Sequence, residues 1–302
     1  YLGGPDFIVG PDAPPEKRNI LGVIEKAGID VAKDVIKHRA YGQKITELIG
    51  GKATHPVCGL PGGISKALTE ENRKEIEIMA ASCIEFAKFS IKLFHDIVLG
   101  NDKYVDMVNS DSYNMKTYYM GMVDKNNKVN FYDGQIRVVD PNGKEFLKFE
   151  TKDYLTHIGE HVEEWTYSKF PYLKKIGWKG LTAGIDNGIY RVGPLGRLNA
   201  SDGMATPQAQ AEYEVMYKTL GGKPAHNTLA FHWARLIELL YAAERALELS
   251  KDPEIKNTDV RSTPGIPTQG KGAVEAARGT LFHDYTLDED ALLTDVNMIV
   301  AT

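Results

Sequence analysis

Cysteine is nearly absent from this chain: Cys58 and Cys83 are the only two among 302 residues. Two such residues make neither a disulfide framework nor a C-x-x-C ligand pair, so their default role is that of small buried side chains. Long hydrophobic runs are also missing, and no apolar stretch is long enough to span a bilayer. Together with the absence of a secretory leader, this leads to the expectation of a cytoplasmic protein without a membrane span. There is no excess of positive charge. Lys and Arg number 36 against 41 Asp and Glu, for a net charge of -5, and the two signs are interspersed. A nucleic-acid surface needs a concentrated basic patch, so that class is excluded. No G-x-G-x-x-G occurs, and Gly270-Lys271-Gly272 is not a phosphate loop, which leaves nucleotide binding without support. Repeats and low-complexity tracts are absent. The chain opens on YLGGPDF without an initiating Met, which is the expectation for a fragment or a processed chain.

What is present is a composition that is 42% hydrophobic, sufficient for a substantial core. Pro14-Pro15-Glu16 permits a helix start, followed by an apolar face of Ile20, Val23, Ile24 and Ala27. Val31 through Ile49 continues at helical spacing and stops at Gly50-Gly51. Thr69 is placed to cap a long helix that carries Ile76, Met79, Ala80, Cys83, Phe86, Ala87, Phe94 and Val98 on one stripe. Pro207–Leu220 and Asn227–Leu249 repeat the pattern. After the long helix and ahead of these two, Tyr113–Phe149 has strand character, with Val129–Tyr132 as one strand and Ile136–Val139 and Phe146–Phe149 as a hairpin around Asp140-Pro141-Asn142-Gly143. The expected fold is mainly α (α+β): a long-helix bundle in one domain over 1–302, with a small β-rich insertion at 113–149.

Four stretches carry candidate chemistry. In His55-Pro56-Val57-Cys58-Gly59-Leu60-Pro61-Gly62-Gly63 a stiff turn presents an imidazole that can relay protons near neutral pH. Its structural alternative is a histidine bonded to a backbone carbonyl. His157 and His161 are four apart and would share a face if helical, with Glu164 a turn on. Gly159 weakens that helix, and a solvated face is the competing reading. Trp165–Trp178 concentrates aromatics among lysines, either as a partner contact or as loop packing. Last, Glu275-Ala276-Ala277-Arg278-Gly279 places a guanidinium beside a glycine that admits close backbone approach. Its bland alternative is a strand and turn in which Arg278 pairs with Glu275.

The terminal stretch GAVEAARGTLFHDYTLDEDALLTDVNMIVAT resembles the segment preceding the C-terminal metal motif of nickel-iron hydrogenase large subunits. The similarity is greatest to the methyl-viologen-reducing, F420-nonreducing branch of methanogens and related anaerobes. PDFIVGPDAPPEKRNILGVIE, RAYGQKITELIGGKATHPVCGLPGG and YRVGPLGRLN follow in the family's order along nearly the whole chain. Ala277 stands where the family has proline, and Gly196 where it has alanine. In the resembled family a long core helix enters at the start, so Tyr1–Phe7 would be its last turns.

The resemblance implies heterolytic H2 oxidation or proton reduction at a nickel-iron centre with CN and CO ligands, held by two C-x-x-C motifs. Neither motif lies in this sequence, so no metal ligand and no cofactor are expected on this chain alone. In a complete assembly Arg278, with Glu275 and His55 behind it, would be the catalytic outer shell, and Arg278, Ala277 and Pro61 would face the cofactor. The implied partners are a small subunit with iron–sulfur clusters, heterodisulfide reductase and an electron-transfer subunit. The alternative is a hydrogenase-derived scaffold without metal that binds an iron–sulfur redox protein.

Overall fold

The computed structural model describes residues 4–301, which fold as two compact units: 4–107 with 236–265, and 108–235 with 266–301. Helices and strands make a mainly α fold with a small β-rich insertion, as the sequence patterning implies.

In the first unit, α1 (Gly4–Val9) covers part of the expected entry helix; Tyr1–Gly3 lie outside the described residues. The next helix, α2 (Ile20–Ala27), begins later than the Pro14-Pro15 signal. Pro15–Lys17 forms only a 3-10 turn, and the Asn19 side chain caps the helix by accepting from the Leu21 and Gly22 amides. The pair α3 (Ile29–Gly50) and the 25-residue α4 (Glu70–Phe94) packs together, with Ile76, Met79, Ala80, Ile84, Ala87 and Ile91 buried along α4. Thr69 caps α4 through the Asn72 amide at 3.2 Å, and the helix ends in a π turn at His95–Leu99. Between them a small hairpin, β1 (Gly59–Leu60) and β2 (Gly63–Ile64), turns at Pro61-Gly62, where φ of +89° falls on the glycine. A short α5 (Asp102–Asn109) follows α4.

The second unit is built on β3 (Tyr118–Val123), β4 (Gln135–Val139) and β5 (Glu145–Phe149), antiparallel in turn, with β5 and β4 forming the hairpin read from the sequence. The strand expected at Val129–Tyr132 does not form beyond one bridge from Val129 to Val123. Side chains claim that backbone instead: Asp124 Oδ1 accepts from the Asn126 and Lys128 amides, and Asn130 Oδ1 from the Tyr132 amide. The helix α6 (Tyr154–His157) is a single turn that gives way to β6 (Ile158–His161), paired with β7 (Phe170–Leu173). His157 and His161 therefore share no helical face. His157 stacks on Phe149 at 4.4 Å, and His161 on Trp178 at 4.7 Å.

Parallel to β3 runs β8 (Tyr190–Arg191), which leads into α7 (Gly193–Ala200), a helix buried at every residue. Then come α8 (Pro207–Thr219) and α9 (Phe231–Ser250), which contributes its residues from Leu236 onward to the first unit. Three antiparallel strands, β9 (Gln269–Ala276), β10 (Gly279–Leu287) and β11 (Leu293–Ile299), complete the second unit.

Strand β3 is buried on both faces. Tyr118, Met120 and Met122 enter a core with Ile136, Val138, Phe149, Tyr154, Ile158, Leu173 and Phe282. On its other face α7 approaches so closely that a Cβ on Gly121 would lie 2.7 Å from the Arg197 Cα, and one on Gly196 3.2 Å from the Met120 carbonyl oxygen. Both contacts are with backbone, which cannot swing aside. Gly121→Ala is expected to destabilise the protein by about 1–3 kcal/mol through overpacking. Urea unfolding at an unchanged midpoint would refute this close-packing account.

Candidate functional site

The glycine-lined approach of α7 to β3 decides where Arg197 goes. Its guanidinium is withdrawn from solvent, the residue being 1% exposed, and Nη1 donates to Glu275 Oε2 at 2.7 Å and to the Ala276 carbonyl at 2.8 Å. The group also lies 5.5 Å from the centre of the Phe131 ring. Glu275, on β9, has a side chain with 0% exposure. Its Oε1 accepts from the Met122 amide and from Thr280 Oγ1, both at 2.8 Å. One carboxylate thereby joins β3, α7, β9 and β10. Burial pushes the Glu275 carboxyl up, while Arg197, Thr280 and the Met122 amide pull it down.

Two residues further along, Ala277 and Arg278 form the two-residue turn between β9 and β10, since Ala276 pairs with Gly279. The unusual backbone falls on Gly279, at φ +152°, where a Cβ would meet Val192 Cγ2 at 2.3 Å. The turn rests on the start of α7: a Cβ on Gly193 would lie 2.9 Å from the Arg278 carbonyl oxygen. Arg235 Nη1 donates to the Ala277 carbonyl at 3.1 Å. The Arg278 side chain is exposed, and among the described residues it makes no hydrogen bond or ion pair. The alternative in which Arg278 pairs with Glu275 is therefore not what forms; Arg197 holds the carboxylate.

Glu275, Ala277 and Arg278 share one hairpin, with Glu275 turned inward and Arg278 outward. His55 and Pro61 belong to the first unit. His55 is exposed at φ +53°, a conformation seldom taken by non-glycine residues, and the Pro61 carbonyl accepts from Arg261 Nε at 3.2 Å. The partner that sequence reasoning missed was Arg197. Arg197 is the one charged residue of the helix Gly193–Ala200, and a charge on so uncharged a helix is the signal that it needs a buried counter-ion.

Lys223 is a strongly shifted base in this unit. Its residue is exposed in the turn after Gly221-Gly222, but the ammonium donates to Tyr213 Oη at 2.8 Å and lies over the Tyr213 and Tyr217 rings at 5.5 and 5.6 Å. Desolvation lowers its pKa to about 7, with nearby Arg137 and Lys128 acting in the same direction and Asp202 against. Between that value and the ordinary lysine pKa, the unfolded chain binds a proton that the folded chain does not. Stability is therefore expected to rise as pH climbs from about 7 toward 10, relative to Lys223→Met. Parallel slopes for the two proteins in pH-dependent unfolding would disprove the shift.

For the buried pair, Glu275→Ala strands the Arg197 guanidinium and is expected to cost about 3–5 kcal/mol. Arg197→Met combined with Glu275→Leu should recover much of that loss. Chemical denaturation of both variants checks the pair, and a single variant as stable as wild type would refute it.

No family model matches the sequence. Similar proteins are nonetheless clear. Over 302 residues the chain is 48% identical to the F420-non-reducing hydrogenase iron-sulfur subunit of Archaeoglobus profundus, covering all of this chain and 62% of that protein. It is 45% identical over 303 residues to the F420-non-reducing hydrogenase vhu subunit of Methanococcus voltae, covering 69% of it. Among solved structures, an NAD+-reducing NiFe-hydrogenase in the H2-reduced state superposes with a TM-score of 0.89 at 32% identity, over 100% of this chain and 64% of that one.

These relatives correct the expectation of a nickel-iron large subunit performing H2 chemistry, and with it the nickel and metal-binding assignments. They are named as F420-non-reducing hydrogenase subunits, in one case as the iron-sulfur subunit. Among the described residues, no group of three or more His, Cys, Asp or Glu is placed to hold a metal ion. Nor does the donor chemistry fit a thiolate-held nickel-iron centre. Cys58 precedes β1 and Cys83 lies within α4, where burial pushes its thiol up, away from the thiolate a metal requires. With 45% identity across the full chain and more than two thirds of the relative, this chain belongs to the family of these F420-non-reducing hydrogenase subunits.

Proposed function

We propose that this chain is a hydrogenase-derived scaffold that carries no metal of its own and binds an iron–sulfur redox protein within a hydrogenase complex. The observation that carries this reading is the closure of Glu275. Both carboxylate oxygens are committed to Arg197, Thr280 and the Met122 amide, so the one buried acid of the candidate site serves to hold four elements together. A group spent in this way positions a surface; it is not free to take up a ligand. Kinship with subunits of F420-non-reducing hydrogenases supports assembly with iron–sulfur-bearing chains. Among the described residues no helix is long and apolar enough to cross a membrane.

On this reading Arg278 is a presented cation. The two-residue turn, the Arg235 contact and the Gly193 contact fix its backbone while its side chain stays available for an acidic group on the partner. The test is co-expression with the iron–sulfur subunit of the same complex, followed by gel filtration and metal analysis of the separated chains. A stable complex is expected, with iron on the partner and neither nickel nor iron retained by this chain after separation. Stoichiometric nickel on the isolated chain, or failure to form the complex, would overturn the proposal.

A further inference from the structure

The sheet of β9, β10 and β11 ends on one side at β11, and among the described residues no further strand pairs with it. A terminal strand presents a row of unpaired amides and carbonyls, which proteins ordinarily guard with lysine, proline, a bulge or a covering segment. The opposite edge is closed in part, since the Glu275 amide on β9 donates to the Phe131 carbonyl at 2.7 Å. The edge at β11 has no such cover. Leu293–Ile299 contains no lysine, arginine or proline, and the one register irregularity, at Thr286-Leu287, falls at its start.

This open edge continues an apolar face. Residues paired across neighbouring strands lie on the same side of a sheet. Leu281 pairs with Val274, His283 with Met298 and Tyr285 with Val296, so these six share the outer side, while Phe282 and Asp284 turn into the unit and are buried. Val274, Val296 and Met298 are 43%, 43% and 46% exposed. The face is held in one arrangement: Tyr285 Oη lies 2.6 Å from His283 Nδ1 and 3.6 Å from Met298 Sδ. Little ordering remains to be done on binding, which favours affinity.

Charge says what kind of strand can add here. From Asp284 to Ala301 the chain has no lysine or arginine. Asp284 points inward and is neutralised by Lys271 at 3.0 Å. Asp288, Glu289, Asp290 and Asp295 have no ion pair among the described residues. The turn that carries the first three is ordered, with Asp288 Oδ1 accepting from the Asp290 amide at 3.0 Å and the Leu292 amide at 2.9 Å. A second copy of β11 would bring two such acidic sets onto one joined sheet with no cation between them, an unfavourable pairing. A basic strand meets the same carboxylates with opposite charge.

We infer that β11 is a docking edge that adds an extended segment of a partner protein to the sheet, one with apolar side chains beside Val296 and Met298 and Lys or Arg on the side of Asp295. Backbone hydrogen bonds supply the attachment, the alternating side chains supply the register, and the carboxylates steer a cationic strand. The inference goes beyond the scaffold reading and does not rest on it, since it needs only this chain and a strand of the stated chemistry.

The probe is a blocked peptide of alternating valine and lysine, titrated into the full chain by calorimetry and followed by amide hydrogen exchange. Its valines would fall on the side of Val296 and its lysines on the side of Asp295. The peptide is expected to bind and to slow exchange at the amides of Leu293–Ile299. Asp295→Lys and Val296→Lys, both at exposed positions, should each weaken binding about tenfold without moving the thermal melt. A peptide of alternating valine and glutamate that binds as tightly would overturn the inference, as would peptide binding that leaves β11 exchange unchanged. Self-association of the wild-type chain, with β11 protected in the absence of peptide and the dimer lost in Val296→Lys, would assign the edge to a second copy and overturn it too.

Discussion

Two opposite charges taken out of water, Arg197 and Glu275, set the terms for the second unit. Removing either ion from water costs several kcal/mol, and attraction repays that only if the remaining hydrogen-bonding capacity is met. Here it is met by groups from distant parts of the chain: the Met122 amide on β3, Thr280 on β10 and the Ala276 carbonyl on β9. The pair therefore depends on α7 lying directly against β3. Gly121 and Gly196 allow that approach, and Gly193 lets the β9–β10 turn settle on the start of α7. A hydrophobic pair of similar volume could fill the same space, but it would not specify which strand lies beneath the helix.

That arrangement explains how a hairpin with alanine at position 277 holds the backbone of Arg278 in one place. Proline would stiffen the turn through its own ring. With Ala277 in that position, the restraint comes from outside the turn, through Arg235 on the Ala277 carbonyl and the crowded contact of Gly279 with Val192. The stiffness of this turn comes from packing and not from covalent geometry.

Much of the fold was legible because its helices repeat apolar residues with helical period, and α3, α4, α8 and α9 fall close to their expected limits. Reading failed where side chains compete with the backbone. At Asp124 and Asn130, local hydrogen bonds displaced a strand, and at Asn19 a side-chain cap overrode the proline signal. The site was legible only in part. Glu275 and Arg278 could be singled out from a short stretch, but the true partner of Glu275 is 78 residues away. No local periodicity reports a pairing over that distance. Kinship was visible in ordered stretches along the chain, while the chemistry attached to it depended on cysteine motifs this sequence does not contain.

The two-residue turn at Ala277-Arg278 has a consequence for how this chain tolerates length variation. Strand side chains alternate between faces, so one residue added between Glu275 and Gly279 would rotate the facing of every residue beyond it. Glu275 could then keep Arg197 only if Phe282 left the core, or the reverse. The spacing Glu-Ala-Ala-Arg-Gly thus works as a ruler with no slack, whereas the eight residues between His161 and Phe170 can lengthen or shorten without disturbing the strands on either side. Insertions in related chains should collect at the second loop and avoid the first.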